Sequence, residues 1–204
     1  MSSEMKAPFD AALADMLSNL TLATGHWKLG KSTAKVVAES NKLNKGELKF
    51  DYLGAQKAYC FAMTGWSSEF TDYIAQIQPP YRSNHPDGFD HHFFMSTLME
   101  VRGEYSRSDG KMALPRDKQH VEEISQHIQI CLQNAYLPWL SSFVHFAPEL
   151  IKRVLERPDF YSYPAPLIAF ILKKNGMRWD GLNLQAGKAV IKNRTFDFDV
   201  LQSA

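Results

Sequence analysis

Apolar side chains at Phe9, Leu13, Met16, Leu17 and Leu20 recur at helical spacing, and Pro8 stands where a helix can begin. This predicts an amphipathic helix ending near Thr24-Gly25, with Gly25 as the stop. The pattern then changes. Trp27 to Val37 mixes basic and apolar residues, and Asn41 to Gly46 reads as a polar turn. Glu47 to Leu53 alternates polar and apolar positions, as a half-buried strand does. Ala58 to Met63 is apolar and aromatic, like a central strand, and Phe70 to Ile77 is expected to be another. Pro79-Pro80 and Asn84 to Gly88 form an irregular loop before the apolar stretch Phe93 to Val101, and Arg107 to Lys111 is a turn.

Helical spacing governs the second half. Asp117 is a good N-cap for a helix burying Val121, Ile124, Ile128 and Leu132. Pro138 is expected to interrupt it, ahead of the cluster Trp139, Leu140, Phe143, Val144 and Phe146. Pro148 starts a helix with Leu150, Ile151, Val154 and Leu155, and Pro158 stops it. Pro166 to Lys174 is a further helix closed by Asn175-Gly176, while Leu182 to Leu201 fits no single pattern.

Strands precede helices, which predicts an α+β fold and not alternating βα units. The expected architecture is an N-terminal helix, an antiparallel sheet of about four strands, and a helical C-terminal half packed on one face. A single domain over 1–204 is expected, strand-rich over 26–114 and helical over 115–204, because the helices need an apolar sheet face to cover.

Composition narrows the function classes. The chain has 204 residues, 45% apolar and 22% charged, enough to bury a real core. Lys plus Arg is 23 against 22 Asp plus Glu, so no global field marks a nucleic-acid or membrane binder. The longest apolar run, Leu167 to Leu172, is core-sized and far short of the roughly 20 residues that span a bilayer. Residues 1–6 lack the basic start and apolar core of a signal peptide. Cys60 and Cys131 read as two thiols in a reducing compartment, so a cytoplasmic protein is expected.

One motif bears on chemistry directly. Gly25-His26-Trp27-Lys28-Leu29-Gly30-Lys31-Ser32 fits the P-loop pattern, in which backbone N–H groups cradle phosphates, Lys31 reaches the β- and γ-phosphates and Ser32 holds Mg²⁺. Its surroundings argue otherwise. Leu17 to Thr24 extends a helical stripe where a buried parallel strand is needed. The interior His-Trp-Lys-Leu is bulky where close backbone approach favours small residues. A turn leading into a strand is the expected structure. The alternative, a phosphotransferase or NTPase, rests on Gly25, Gly30, Lys31 and Ser32.

Other clusters carry less. His85, Asp87, Asp90, His91 and His92 are metal-ligand types, yet adjacent His91 and His92 on a strand point to opposite faces. His120, Glu123 and His127 share a helix face, but the seven-residue interval is long for one ion. No metal or cofactor is expected, and no nucleophile motif is present. Lys173, Lys174, Arg178, Lys188, Lys192 and Arg194 surround Trp179, and a solvated face explains them better than nucleic-acid binding. Trp139, Phe143, Phe146, Phe160, Tyr161 and Tyr163 read as helix core, or as an interface where exposed.

Several pieces together resemble a group of small bacterial α+β proteins of unknown function. Gly25 to Thr33 is similar to that group's basic, aromatic hairpin after an N-terminal helix. Leu48 to Leu53 and Tyr59 to Thr64 resemble its strands, and Leu137-Pro138-Trp139-Leu140-Ser141-Ser142-Phe143 resembles a later Leu-Pro-Trp-Leu-x-x-Phe segment. The likeness covers residues 8 to 157, and the helices after Pro158 depart from it. It implies an α+β fold without established catalytic residues, of the kind that looks like immunity or accessory partners in bacterial toxin loci. The expected function is therefore a non-catalytic protein-binding module, an immunity protein that blocks a toxin's active site. Asp87, Asp90, His91 and His92 are its candidate partner-binding residues.

Overall fold

A computed structural model of the chain describes residues 3–19, 26–29, 33–37, 43–96, 107, 109, 111–179 and 190–204. Helix α1 (Lys6–Ser18) is followed by strands β1 (His26–Leu29), β2 (Thr33–Val37), β3 (Asn44–Leu53) and β4 (Ala58–Ser67). Next come α2 (Ser68–Ile77) and the short strands β5 (Phe93–Met95) and β6 (Met112–Ala113). The remainder is helical: α3 (Lys118–Cys131), α4 (Leu137–His145), α5 (Leu150–Glu156), α6 (Pro164–Lys174) and α7 (Arg194–Gln202). The fold is α+β, with an N-terminal helix, an antiparallel sheet and a helical C-terminal half, as the order of patterns implied.

The strands hydrogen-bond in the order β1-β2-β3-β4-β5, and β6 pairs with β4 through Ala58↔Ala113 and Tyr59↔Met112. Four strands of four to ten residues make up most of the sheet, and β5 and β6 add three and two residues. Burial alternates along β3 and β4 with the period of two that a pleated strand imposes.

The described chain divides into two compact units. One comprises 1–37, 46–63 and 95–141, and the other 38–45, 64–94 and 142–204. Each mixes strand and helix, so the division does not follow the change of pattern near Pro115. In the first unit α1 packs on α3, and Phe9, Leu13, Phe50, Phe61, Ile124, Ile128 and Tyr136 are buried. The Phe61 ring lies 4.9 Å from that of Tyr136 and 5.2 Å from that of Phe50. In the second unit α6 packs against α2, α5 and α7. Phe70, Phe93, Phe143, Phe146 and Tyr161 are fully buried there.

Local chemistry explains where elements begin and end. Asp117 caps α3, its carboxylate accepting from the His120 N–H at 2.9 Å. At the end of α6, the N–H of Gly176 donates to Lys173 O and that of Met177 to Leu172 O, the paired closure for which Gly176 takes φ +63°.

Four expectations need correction. The segment Phe70–Ile77 is helix, not strand. Ser67 Oγ accepts from the Phe70 N–H at 3.1 Å and starts α2, and Phe70, Tyr73, Ile74 and Ile77 sit at helical spacing. Helix α1 begins two residues before Pro8 and ends at Ser18. Ser18 Oγ donates to Asp15 O at 2.8 Å and Asn19 Nδ2 to Asp15 Oδ1 at 3.1 Å, competing with the next helical bonds. Strand β3 starts at Asn44, inside the expected polar turn. Finally, Pro138 does not break the helix. Leu132–Tyr136 form one π turn, in which the Leu137 N–H donates to Leu132 O, and the chain then continues as α4. A π turn widens the spacing just where a proline lacks its N–H and crowds the carbonyl four residues back. The ambiguous tail contains α7, capped by Asn193 Oδ1 accepting from the Phe196 N–H at 3.1 Å.

Candidate functional site

Backbone stitching builds one rigid loop in the second unit, from the end of α2 to the start of β5. Tyr81 anchors its beginning by donating its hydroxyl to Asp197 Oδ1 at 2.5 Å. Asp197 is fully buried, and its other oxygen accepts the Lys192 and Asn193 N–H groups at 2.7 and 2.9 Å. A buried carboxylate with three donors has its desolvation offset. The phenol of Tyr81 is accordingly held far above its ordinary ionisation range, by burial first and by the Asp197 bond second.

Further along, the Asn84 N–H donates to Ser162 O at 2.8 Å, and its amide Nδ2 bonds Pro158 O and Tyr161 O at 3.0 and 2.9 Å. His85 is buried, with Nδ1 2.7 Å from His91 O and Nε2 3.2 Å from Phe160 O. At the far end, the His92 N–H donates to Gly65 O and the Ser162 N–H to His92 O. Phe93 bridges to Tyr161, and their rings stack at 5.2 Å. Both ends of the loop are thereby tied to the segment 158–162.

The tip between these anchors is a turn in which the Phe89 N–H donates to Pro86 O at 3.1 Å. Gly88 occupies its second central position at φ +81°, a conformation that favours glycine. The turn turns the Phe89 ring outward to 37% exposure between the exposed carboxylates Asp87 and Asp90. The edges of His85, His91 and Phe94 fix that ring, with centroids at 5.6, 5.0 and 5.1 Å. Of the large apolar side chains exposed among the described residues (Leu43, Phe89, Ile130 and Met177), Phe89 alone is aromatic.

The structure thus separates the four residues proposed from sequence. Asp87 and Asp90 face solvent, and Asp87 makes only a 3.8 Å ion pair with Arg82, both partners nearly fully exposed. His91 is half-buried against Phe89. His92 turns inward. Thr71 donates its hydroxyl to Ser67 O at 2.8 Å, so His92 Nε2–H is the donor in their 2.9 Å contact. His92 Nδ1 then accepts from Ser162 Oγ at 3.1 Å. Burial, with lesser repulsion from His85, lowers the His92 imidazole to about 4, so it is neutral at pH 7. The exposure of Phe89 was not expected from the sequence, although a glycine-aromatic pair stands between two aspartates at residues 87–90.

Among the described residues no three His, Cys, Asp or Glu side chains converge as metal ligands. The ring nitrogens of His85 and His92 face carbonyl and hydroxyl groups. On α3, His120 Nδ1 accepts the Arg116 N–H at 3.0 Å, and His127 Nε2 lies 3.7 Å from Cys131 Sγ. Gly25, Gly30, Lys31 and Ser32 lie outside the described residues. The backbone on either side is an antiparallel pair, His26↔Val37 through Leu29↔Ala34, so a strand follows Ser32 where a P-loop continues as a helix. In the basic stretch, Lys174 Nζ meets Glu69 at 2.5 Å and lies over the Phe146 and Phe170 rings. Lys192 Nζ donates to Arg82 O at 3.2 Å and lies over the Tyr81 ring. Lys188 lies outside the described residues. Trp139, Phe143, Phe146 and Tyr161 are core, and Phe160 lies under the Arg157 guanidinium at 3.7 Å. No helix among the described residues is long and apolar enough to cross a membrane.

No protein-family profile, curated protein or solved structure matches this chain. The functional reading therefore rests on the site itself.

Proposed function

We propose that this chain is a non-catalytic protein-binding module whose loop 82–92 docks on a basic protein surface. The observation that carries this reading is Phe89, an exposed aromatic ring held on a rigid loop and flanked by Asp87 and Asp90. Interfaces draw most of their energy from a few aromatic or charged anchors, and a preordered loop spares the entropy of fixing them on binding. The carboxylates of Asp90 and of Asp87, the latter paired with Arg82 of the same loop, leave it one net negative charge to orient a cationic partner. With the resemblance described above, the reading becomes an immunity protein: the loop covers the active site of a bacterial toxin, whose substrate-binding face is basic. Cys60 and Cys131, both free thiols, fit the reducing cytoplasm in which such a partner would be held.

The Ser162 hydroxyl that pairs with His92 is buried, so this serine-histidine pair presents no nucleophile at the surface, which favours a binding role. Size-exclusion co-elution with the product of a neighbouring gene tests the proposal. A stable complex that is lost in Phe89→Ala is expected. Turnover of a small substrate with no complex formed would overturn it.

A further inference from the structure

A concave feature lies wholly within the first unit, where α1 passes over β3 and β4. It is a groove of about 700 Å³, the size of small-molecule sites in general. Ala11, Leu13, Ala14 and Phe50 supply apolar walls. The polar groups gather at one end. Tyr59, buried at 2% exposure, donates its hydroxyl to Asp10 Oδ1 at 2.6 Å, and Asp10 Oδ2 holds the Lys6 ammonium one helical turn away. Lys6 Nζ also stands 4.8 Å above the face of Tyr52, whose ring lies 5.1 Å from that of Tyr59.

An ammonium against a carboxylate and over a tyrosine face is the arrangement by which proteins hold organic cations. Here the cation is the protein's own. Lys6 ends a flexible, partly exposed side chain, so its departure into water leaves no buried charge of its own behind. Ala11, Ala14 and Phe50 line the same groove. A ligand that placed an ammonium where Lys6 Nζ sits would thus lay a hydrocarbon tail along Ala11, Ala14 and Phe50. We propose that this groove binds an amphipathic organic cation, an alkyl- or aralkylammonium, with the Lys6 ammonium as the internal stand-in for its charged head. Asp10 and the Tyr52 face read the charge, and Tyr59 fixes the Asp10 carboxylate. The site is independent of the Phe89 loop.

The test is a protein-observed ¹H–¹⁵N NMR titration of the full chain with hexylammonium, hexanol and hexanoate. Hexylammonium is expected to shift the amides of residues 6–14 and 50–59 to saturation. Hexanol and hexanoate are expected to bind at least tenfold more weakly. Lys6→Ala removes the competing cation and is expected to tighten hexylammonium at least fivefold, and Asp10→Asn to weaken it at least tenfold. Tyr59→Phe, which leaves the Asp10 carboxylate in place but no longer fixed, is expected to weaken hexylammonium less than Asp10→Asn does. Equal binding of hexanol, no tightening in Lys6→Ala, or unchanged binding in Asp10→Asn would each overturn the proposal.

Discussion

Gly65 and Phe143 are in such close contact that no side chain fits between them. A Cβ on Gly65 would stand 3.0 Å from Phe143 Cζ and closer still to Cδ1 and Cε1 of that fully buried ring. The Gly65 carbonyl also accepts the His92 N–H that ends the loop before β5. Close packing under β4 and the anchoring of the loop are thus properties of one residue. Gly65→Ala is expected to destabilise the protein by about 1–3 kcal/mol, the usual cost of overpacking a dense core. Chemical denaturation measures it, and a cost below half a kcal/mol would contradict the contact.

His92 makes stability depend on pH. Its folded value, about 4, lies below the ordinary 6.5, so between these two values the unfolded state binds the proton and the folded state does not. The contribution is fully present above pH 6.5 and is lost as pH falls towards 4, amounting to about 3 kcal/mol at most. Denaturant unfolding at pH 7.5, 5.5 and 4.5 should show the wild type losing more stability than His92→Asn over this range. Parallel profiles would contradict it.

Asp197 and Tyr81 anchor the start of the loop. Tyr81→Phe removes one of three donors to a fully buried carboxylate and is expected to cost about 1–3 kcal/mol. Asp197→Ala also strands the Lys192 and Asn193 N–H groups and is expected to cost more. Equal effects of the two variants would show that the carboxylate does not organise this turn.

The fold class was legible because the sheet and the helices show different periods, two in Glu47 to Leu53 and 3.6 in Val121 to Leu132. Caps that act within four residues, such as Asp117 and the Asn175-Gly176 closure, were also readable. The strand expected at Phe70–Ile77 failed because aromatic and β-branched content outweighed spacing, although Ser67 offered an N-cap. Pro138 misled because a π turn depends on the backbone upstream of the proline and leaves no local mark. At the loop, Asp87 and Asp90 were singled out by residue type, and both side chains are exposed. The outward ring of Phe89 follows from the local turn and its neighbours His85, His91 and Phe94, whereas the inward turn of His92 depends on Ser162, 70 residues away, which no local pattern encodes.

The antiparallel pairing of His26–Leu29 with Thr33–Val37 bears on nucleotide binding. A strand following Ser32 aims no helix N-terminus at a phosphate. Millimolar ATP or GTP with Mg²⁺ is expected to leave Tm unchanged in the wild type and in Lys31→Ala alike. A rise in the wild type that vanishes in Lys31→Ala would restore the phosphotransferase reading.

The most direct measurement is the affinity of the purified chain for a co-eluting neighbouring-gene product, compared among wild type, Phe89→Ala and the double variant Asp87→Lys, Asp90→Lys. The expected result is a loss of at least thirtyfold in Phe89→Ala, mainly through faster dissociation, and slower, less salt-sensitive association in the double variant. Affinity and association rate unchanged in both variants would mean that this loop is not the binding surface.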